Sequence, residues 1–115
     1  MPEECIFCRI VAGQIPADIL YQDDGFLAFR DISPQAPTHV LVIPKTHIAS
    51  SADLTDDHVE LAGRLIIIAR NLAEKEAIAE SGYRLVINCR SDGGQQVPHL
   101  HLHLIGGRQL SGRLG

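Results

Sequence analysis

His99-Leu100-His101-Leu102-His103-Leu104-Ile105 is the stretch on which the reading of this chain turns. Histidine and leucine alternate strictly through it. A period of two reads as a β-strand, because side chains at i, i+2 and i+4 share one face. The leucines are therefore expected to face a core, with the three imidazoles on the other side. A rise of about 3.3 Å per residue puts successive histidine positions about 6.6 Å apart. Imidazoles so spaced can hold a nucleophile, orient it and protonate a leaving group. A plain metal site is the competing reading, since histidine is a common ligand. An expression tag is the weaker one, because the histidines are interleaved with strand formers inside the chain.

Immediately upstream lies Ser91-Asp92-Gly93-Gly94-Gln95-Gln96-Val97-Pro98. Two glycines and short polar residues allow a tight loop with exposed backbone amides, which bind phosphate oxygens. Pro98 biases Val97 towards extended geometry, suited to strand entry. A glycine pair alone is usually just a turn. Feeding into three one-faced histidines, it places a phosphate cradle and ionisable rings at one sheet edge.

With these residues in view, the chain resembles the histidine triad nucleotide-binding proteins. His99 to Ile105 is similar to their signature. Asp31-Ile32-Ser33-Pro34-Gln35-Ala36-Pro37-Thr38-His39, Val42-Ile43-Pro44-Lys45, Ser91-Asp92-Gly93-Gly94-Gln95 and Gly106-Gly107-Arg108 resemble the Hint branch. The similarity runs from about Cys5 to Gln109. It implies an α+β fold with a five-stranded antiparallel sheet, one short N-terminal helix, one long helix and a homodimer.

Composition sets the bounds. A chain of 115 residues reads as a single domain, 1–115, able to bury a core without disulfides. Hydrophobic residues make up 45%, which places it among globular proteins. A net charge of −4 argues against binding a nucleic-acid backbone, which needs a basic stripe. A single nucleotide needs only a local cradle. Tryptophan is absent and aromatics are few, so stacking platforms for single strands are not expected. Met1-Pro2-Glu3-Glu4 is acidic and followed by no signal-like apolar run, and Leu65 to Ala69 is too short to span a bilayer. The expectation is a cytoplasmic protein with no membrane partner. Cys5, Cys8 and Cys89 do not read as a disulfide framework. Cys5-x-x-Cys8 points to metal or redox chemistry, weakly on its own, and no βαβ context favours the redox reading. Cys89 reads as a small packing residue.

Along the chain, Ile6, Phe7, Ile10 and Val11 form a short helical stripe within Glu4 to Ala12, closed by Gly13. Ile19 to Gln22 and Phe26 to Asp31 read as strands around Asp23-Asp24-Gly25. His39 to Ile43 reads as a strand buried on both faces. Thr55 is the expected N-cap of a helix running to about Ala77, with Leu61, Leu65, Ile68, Leu72 and Ala73 at helical spacing. Ile66 and Ile67 widen its apolar arc, enough for a sheet on one side and a partner helix on the other. Tyr83 to Asn88 and His99 to Ile105 complete an α-β-β-β-α-β-β order.

A neutral imidazole is a competent nucleophile near pH 7. His101, the middle ring, is best placed, with neighbours on both sides. The resemblance implies that it becomes transiently nucleotidylated. It implies that His103, Gly94 and the amides around Gln95 and Gln96 bind phosphate oxygens, and that His99 and His39 orient the central ring. Read without it, His39 is equally a structural histidine. Asp31 either caps the Ser-Pro loop or, by the resemblance, binds ribose hydroxyls, with Ile32 lining base and sugar. Asn88 either makes a strand-end hydrogen bond or faces the sugar-phosphate. Ile6, Phe7, Ile10 and Phe29 are implied to form a purine slot, though their spacing alone reads as core.

Some bacterial triad proteins resemble this chain in a further respect. The cysteine spacing, a histidine after Pro-Lys-x and the first triad histidine imply a structural zinc held by Cys5, Cys8, His47 and His99. No cofactor is implied for catalysis. Two departures stand out. Gln109 to Gly115 lacks the tryptophan and double proline of the eukaryotic-type tail, and Gln96 stands where serine is common. The activity implied is hydrolysis of the P–N bond in purine nucleoside phosphoramidates, with an adenosine or guanosine monophosphate-type ligand. A dinucleoside polyphosphate hydrolase and a non-enzymatic nucleotide-binding scaffold are the alternatives.

Overall fold

The computed structural model describes residues 5–114. The helix start expected at Glu4, the acidic Met1 to Glu4 stretch and Gly115 lie outside them. Helix α1 spans Ile6–Val11 and helix α2 spans Val59–Lys75. Strands β1 (Ile19–Gln22), β2 (Phe26–Arg30), β3 (Thr38–Pro44), β4 (Tyr83–Val86) and β5 (Leu102–Gly106) form one antiparallel sheet in the order β1-β2-β3-β5-β4. The element order and the α+β class are those expected. Among the described residues, no helix is long and apolar enough to cross a membrane.

Cysteine begins α1 and glycine ends it. The Cys5 sulfur accepts the Cys8 amide as N-cap. At the other end Gly13, at φ +78°, supports the paired bonds Gly13 N–H to Ile10 O and Gln14 N–H to Arg9 O. Thr55 is a cap as expected, but of a single 3-10 turn, Asp56–His58, that leads into α2. The expected end near Ala77 is two residues long. Ala77 sits at φ 61° in the same kind of C-terminal motif, with Ile78 N–H donating to Ala73 O.

Strand β3 lies at the centre of the sheet and is buried throughout, as its unbroken apolar run requires. Its register with β5 pairs Val40 with Leu104, Leu41 with His103 and Val42 with Leu102. Residues opposite one another share a face. One face therefore carries Val40, Val42, Leu102 and Leu104, which pack with Leu65, Ile68 and Leu72 of α2. The other carries Leu41 and Ile43, which pack with Leu27, Phe29 and the Phe7 and Ile10 of α1. His103 belongs to this second face. The leucine–histidine alternation has thus sorted the two cores as expected.

The last strand is shorter than its alternation predicts. Pairing stops at Val42 opposite Leu102, so His99, Leu100 and His101 lie before the ladder. Pro44 ends β3 and has no N–H to offer. Leu100 N–H instead donates to Ile48 O. Strand β4 likewise ends at Val86, leaving Ile87 and Asn88 outside, and β2 ends at Arg30, leaving Asp31 in the loop.

Candidate active site and metal centre

Leaving the ladder frees main-chain groups of the histidine stretch to orient its own rings. His101 Nδ1 lies 2.7 Å from His99 O. A carbonyl only accepts, so Nδ1 carries the proton and Nε2 keeps the lone pair. The ring is buried, and Phe7 meets it edge-on at 5.1 Å between centroids. His101 is therefore held in one orientation and one tautomer by a carbonyl and an apolar wall.

His101 lines a pocket of about 360 Å³ together with Asp31, His39, Asn88, Gly94, Gln96 and His103. Ser33 and Gln35 complete the lining. A larger concavity of about 850 Å³ lies by Asp23, Phe26 and Arg64 and contains no histidine. Within the smaller pocket, His39 Nε2 lies 2.9 Å from His103 Nδ1 and 3.5 Å from Asp31 Oδ2. The other nitrogen of His103, Nε2, is buried with no hydrogen-bond partner among the described residues. An unpaired buried polar atom is costly, and one at the wall of a polar pocket is completed by a bound ligand. Burial, reinforced by the neighbouring rings His101 and His39, lowers the His103 pKa to about 4. Burial also depresses His39, against the pull of the Asp31 carboxylate.

Asp31 fulfils its capping reading and adds a contact to His39. Its Oδ1 caps the Ser33 amide at 2.8 Å, while Oδ2 faces His39. Gln95 departs from its expected place. Its side-chain amide donates to Ala49 O at 2.7 Å and Val97 O at 2.9 Å, and its Oε1 accepts from Arg90 N–H. Its own main-chain N–H is spent on Arg90 O. Gln95 thus staples the loop, and Gly94 and Gln96 are the loop residues at the pocket. The loop closes so tightly that a Cβ on Gly93 would lie 2.5 Å from Cys89 O, and Gly94 takes φ +80°. Of the residues implied to form a purine slot, Phe7, Ile10 and Phe29 are buried, whereas Ile6 is 44% exposed, and Ile32, implied to line base and sugar, is 96% exposed.

Sequence reasoning missed Ser33 and Gln35 as pocket residues. The available signal was their place between Asp31 and His39 in a loop stiffened by Pro34 and Pro37.

A second cluster lies on the same histidine stretch. Cys5, Cys8, His47 and His99 bring four ligand atoms within 4.8 Å of one another. Cys5 Sγ and Cys8 Sγ lie 3.3 and 3.5 Å from His99 Nδ1, Cys8 Sγ lies 3.3 Å from His47 Nδ1, and the two ring nitrogens are 3.2 Å apart. His99 Nε2 donates to Pro44 O at 2.8 Å, so its Nδ1 lone pair faces the cluster. Burial, and then the adjacent Cys5, push the Cys8 thiol up to about 11. All three cysteines are free. Two sulfurs and two nitrogens converging at a partly buried cluster form a donor set that can bind a metal ion, and the set fits tetrahedral coordination.

The relatives agree with this architecture. The HIT domain family model matches residues 12–110. The chain is 54% identical over 110 residues to a purine nucleoside phosphoramidase of Escherichia coli strain K12, covering 96% of this chain and 92% of that protein. It is also similar to the crystal structure of a HIT family hydrolase from Legionella pneumophila, with a TM-score of 0.96 and 54% identity over 97% of this chain and all of that one. A histidine triad protein from Clostridium difficile gives a TM-score of 0.93 at 40% identity, covering 96% of each chain. With the family model spanning most of its length and the fold superposing on these structures, the chain belongs to the HIT domain family.

Proposed function

We propose that this protein is a hydrolase of purine nucleoside phosphoramidates that works through a covalent nucleotidyl-histidine on His101. The observation that carries the reading is the bond from His101 Nδ1 to His99 O, which leaves Nε2 as the nucleophile at the pocket wall. The 54% identity to a protein named purine nucleoside phosphoramidase supports the choice of substrate class.

The chemistry proceeds in two displacements. His101 Nε2 attacks the α-phosphorus, the P–N bond breaks, and the amine leaves with the electron pair and a proton from solvent. Water then attacks the same phosphorus, the P–Nε2 bond breaks, and a nucleoside monophosphate is released. His103 Nε2–H and the Gln96 backbone offer hydrogen bonds to the phosphoryl oxygens, where charge builds up. Asp31 Oδ2 accepts from the ribose hydroxyls and Asn88 faces the sugar-phosphate. Ile6 and Ile32, the exposed apolar side chains, are the base-facing candidates.

Cys5, Cys8, His47 and His99 would hold zinc, whose contribution is to clamp α1 to the strand end. His99 then joins both sites: its ring faces the metal while its carbonyl orients His101. A homodimer is part of the reading, since Ile66 and Ile67 stand 49% and 46% exposed on α2.

Side-by-side turnover of adenosine 5′-phosphoramidate and a diadenosine polyphosphate tests the assignment. Preference for the phosphoramidate is expected. Preference for the polyphosphate favours the dinucleoside hydrolase, and nucleotide binding without turnover of either favours the scaffold.

A further inference from the structure

His103 donates to a phosphoryl oxygen only if its proton sits on Nε2, and a neutral imidazole can carry it on either nitrogen. Three contacts bear on the choice. The main-chain N–H of Gln35 lies 3.0 Å from His39 Nδ1. An amide only donates, so His39 Nδ1 holds a lone pair and its proton is on Nε2. That Nε2 is 2.9 Å from His103 Nδ1, nearer than the 3.5 Å to Asp31 Oδ2. Accepting there leaves His103 with its proton on Nε2, the buried atom without a partner.

We propose that the backbone amide of Gln35 is a positioning group for phosphoryl transfer, setting His39 and through it His103 so that an N–H donor faces the pocket. The functional part rests on the phosphoramidase reading; the tautomer chain does not. The Gln35 peptide is built to stay in place. Its carbonyl accepts from Arg108 Nη2 at 2.8 Å, and its side chain donates to Ser33 O at 3.0 Å. Pro34 and Pro37 restrict the loop on either side. The same amide opposes a cationic His39, since a proton on Nδ1 would confront the amide proton. The relay therefore works as a chain of neutral dipoles that gives the phosphoryl group a donor without a fixed positive charge.

Tautomers are read directly from long-range proton–nitrogen correlation spectra of the full-length protein uniformly labelled with nitrogen-15, at pH 7.5. His39 and His103 are both expected to be neutral with the proton on Nε2. A proton on Nδ1 of either ring, or a cationic His39, overturns the proposal. Gln35→Pro deletes the amide, and Gln35→Ala keeps it. The proline variant is expected to mix the His39 and His103 tautomers and lower kcat/KM about five- to tenfold, the worth of about one hydrogen bond. The alanine variant is expected to keep single tautomers. A folded proline variant with both single tautomers intact refutes the role of the amide. If that variant does not fold, Arg108→Ala loosens the same peptide and is expected to give mixed tautomers, and unchanged ones count against it. Intact Nε2–H tautomers in a protein that turns over no phosphoramidate would sink the functional reading and leave the relay standing.

Discussion

The Nδ1 of His101 and the carbonyl oxygen of His99, 2.7 Å apart, join the ring proposed as the nucleophile to a main-chain anchor that is not part of the side chain at position 99. In the proposed mechanism the ring of His101 itself is the irreplaceable part. His101→Ala is expected to lower turnover by about 10³-fold or more, as loss of a nucleophile does. Nucleotide binding and the thermal midpoint are expected to change little. Steady-state kinetics beside calorimetric titration with adenosine monophosphate checks both, and near-full activity in His101→Asn would rule out covalent catalysis.

Metal removal should loosen α1. The Cys5, Cys8, His47 and His99 donors bridge that helix, the segment after β3 and the start of the histidine stretch. Protein purified without chelators is expected to contain near-stoichiometric zinc by elemental analysis. A strong chelator is expected to lower the thermal midpoint by several degrees or more, since metal binding adds directly to folding stability. A chelator-insensitive midpoint in zinc-free protein would count against the site.

The buried rings make stability depend on pH. His103 titrates at about 4 in the folded state, against an ordinary value of 6.5. Between those values the unfolded chain binds more protons, so stability is full above about pH 6.5 and is lost as pH falls towards 4. His39, depressed by burial, contributes with the same sign. Urea midpoints measured from pH 7.5 to 4 are expected to fall, and His103→Gln is expected to flatten the curve. An unchanged slope in that variant would contradict the neutral buried ring.

Ile66 and Ile67 lie side by side on α2 and about half exposed. Covering them across a two-fold axis is expected to give a species of twice the 12.5 kDa chain mass in sedimentation at micromolar concentration. Ile66→Glu is expected to shift that equilibrium to monomer. A wild-type monomer under those conditions would refute the dimer.

Much of this architecture was legible in local pattern. The period-two alternation of Leu100, Leu102 and Leu104 against the histidines placed the leucines in the core, and the helical spacing from Leu61 to Ala73 found α2. The strand ends were not legible, because they depend on a partner strand: the β3–β5 ladder ends at Val42 opposite Leu102 and leaves His99 to His101 outside it. The backbone amide of Gln95 was expected to face phosphate, but it is spent on Arg90 O, a pairing set by the closure of the loop and not by residue type. Its side chain reaches Ala49 O, remote in the chain, and Val97 O, contacts that local pattern does not reveal. Gln35 went unnoticed for a related reason. Its role lies in a main-chain N–H, and residue type carries little trace of where a main-chain donor points.

The covalent step is tested most directly by trapping. Enzyme mixed with excess adenosine 5′-phosphoramidate, denatured at alkaline pH within one turnover and digested, is expected to yield a single adenylylated peptide with the modification on His101. Adenylylation at His39, His99, His103 or any other residue would contradict the assignment. So would rapid turnover with no modified peptide at any quench time.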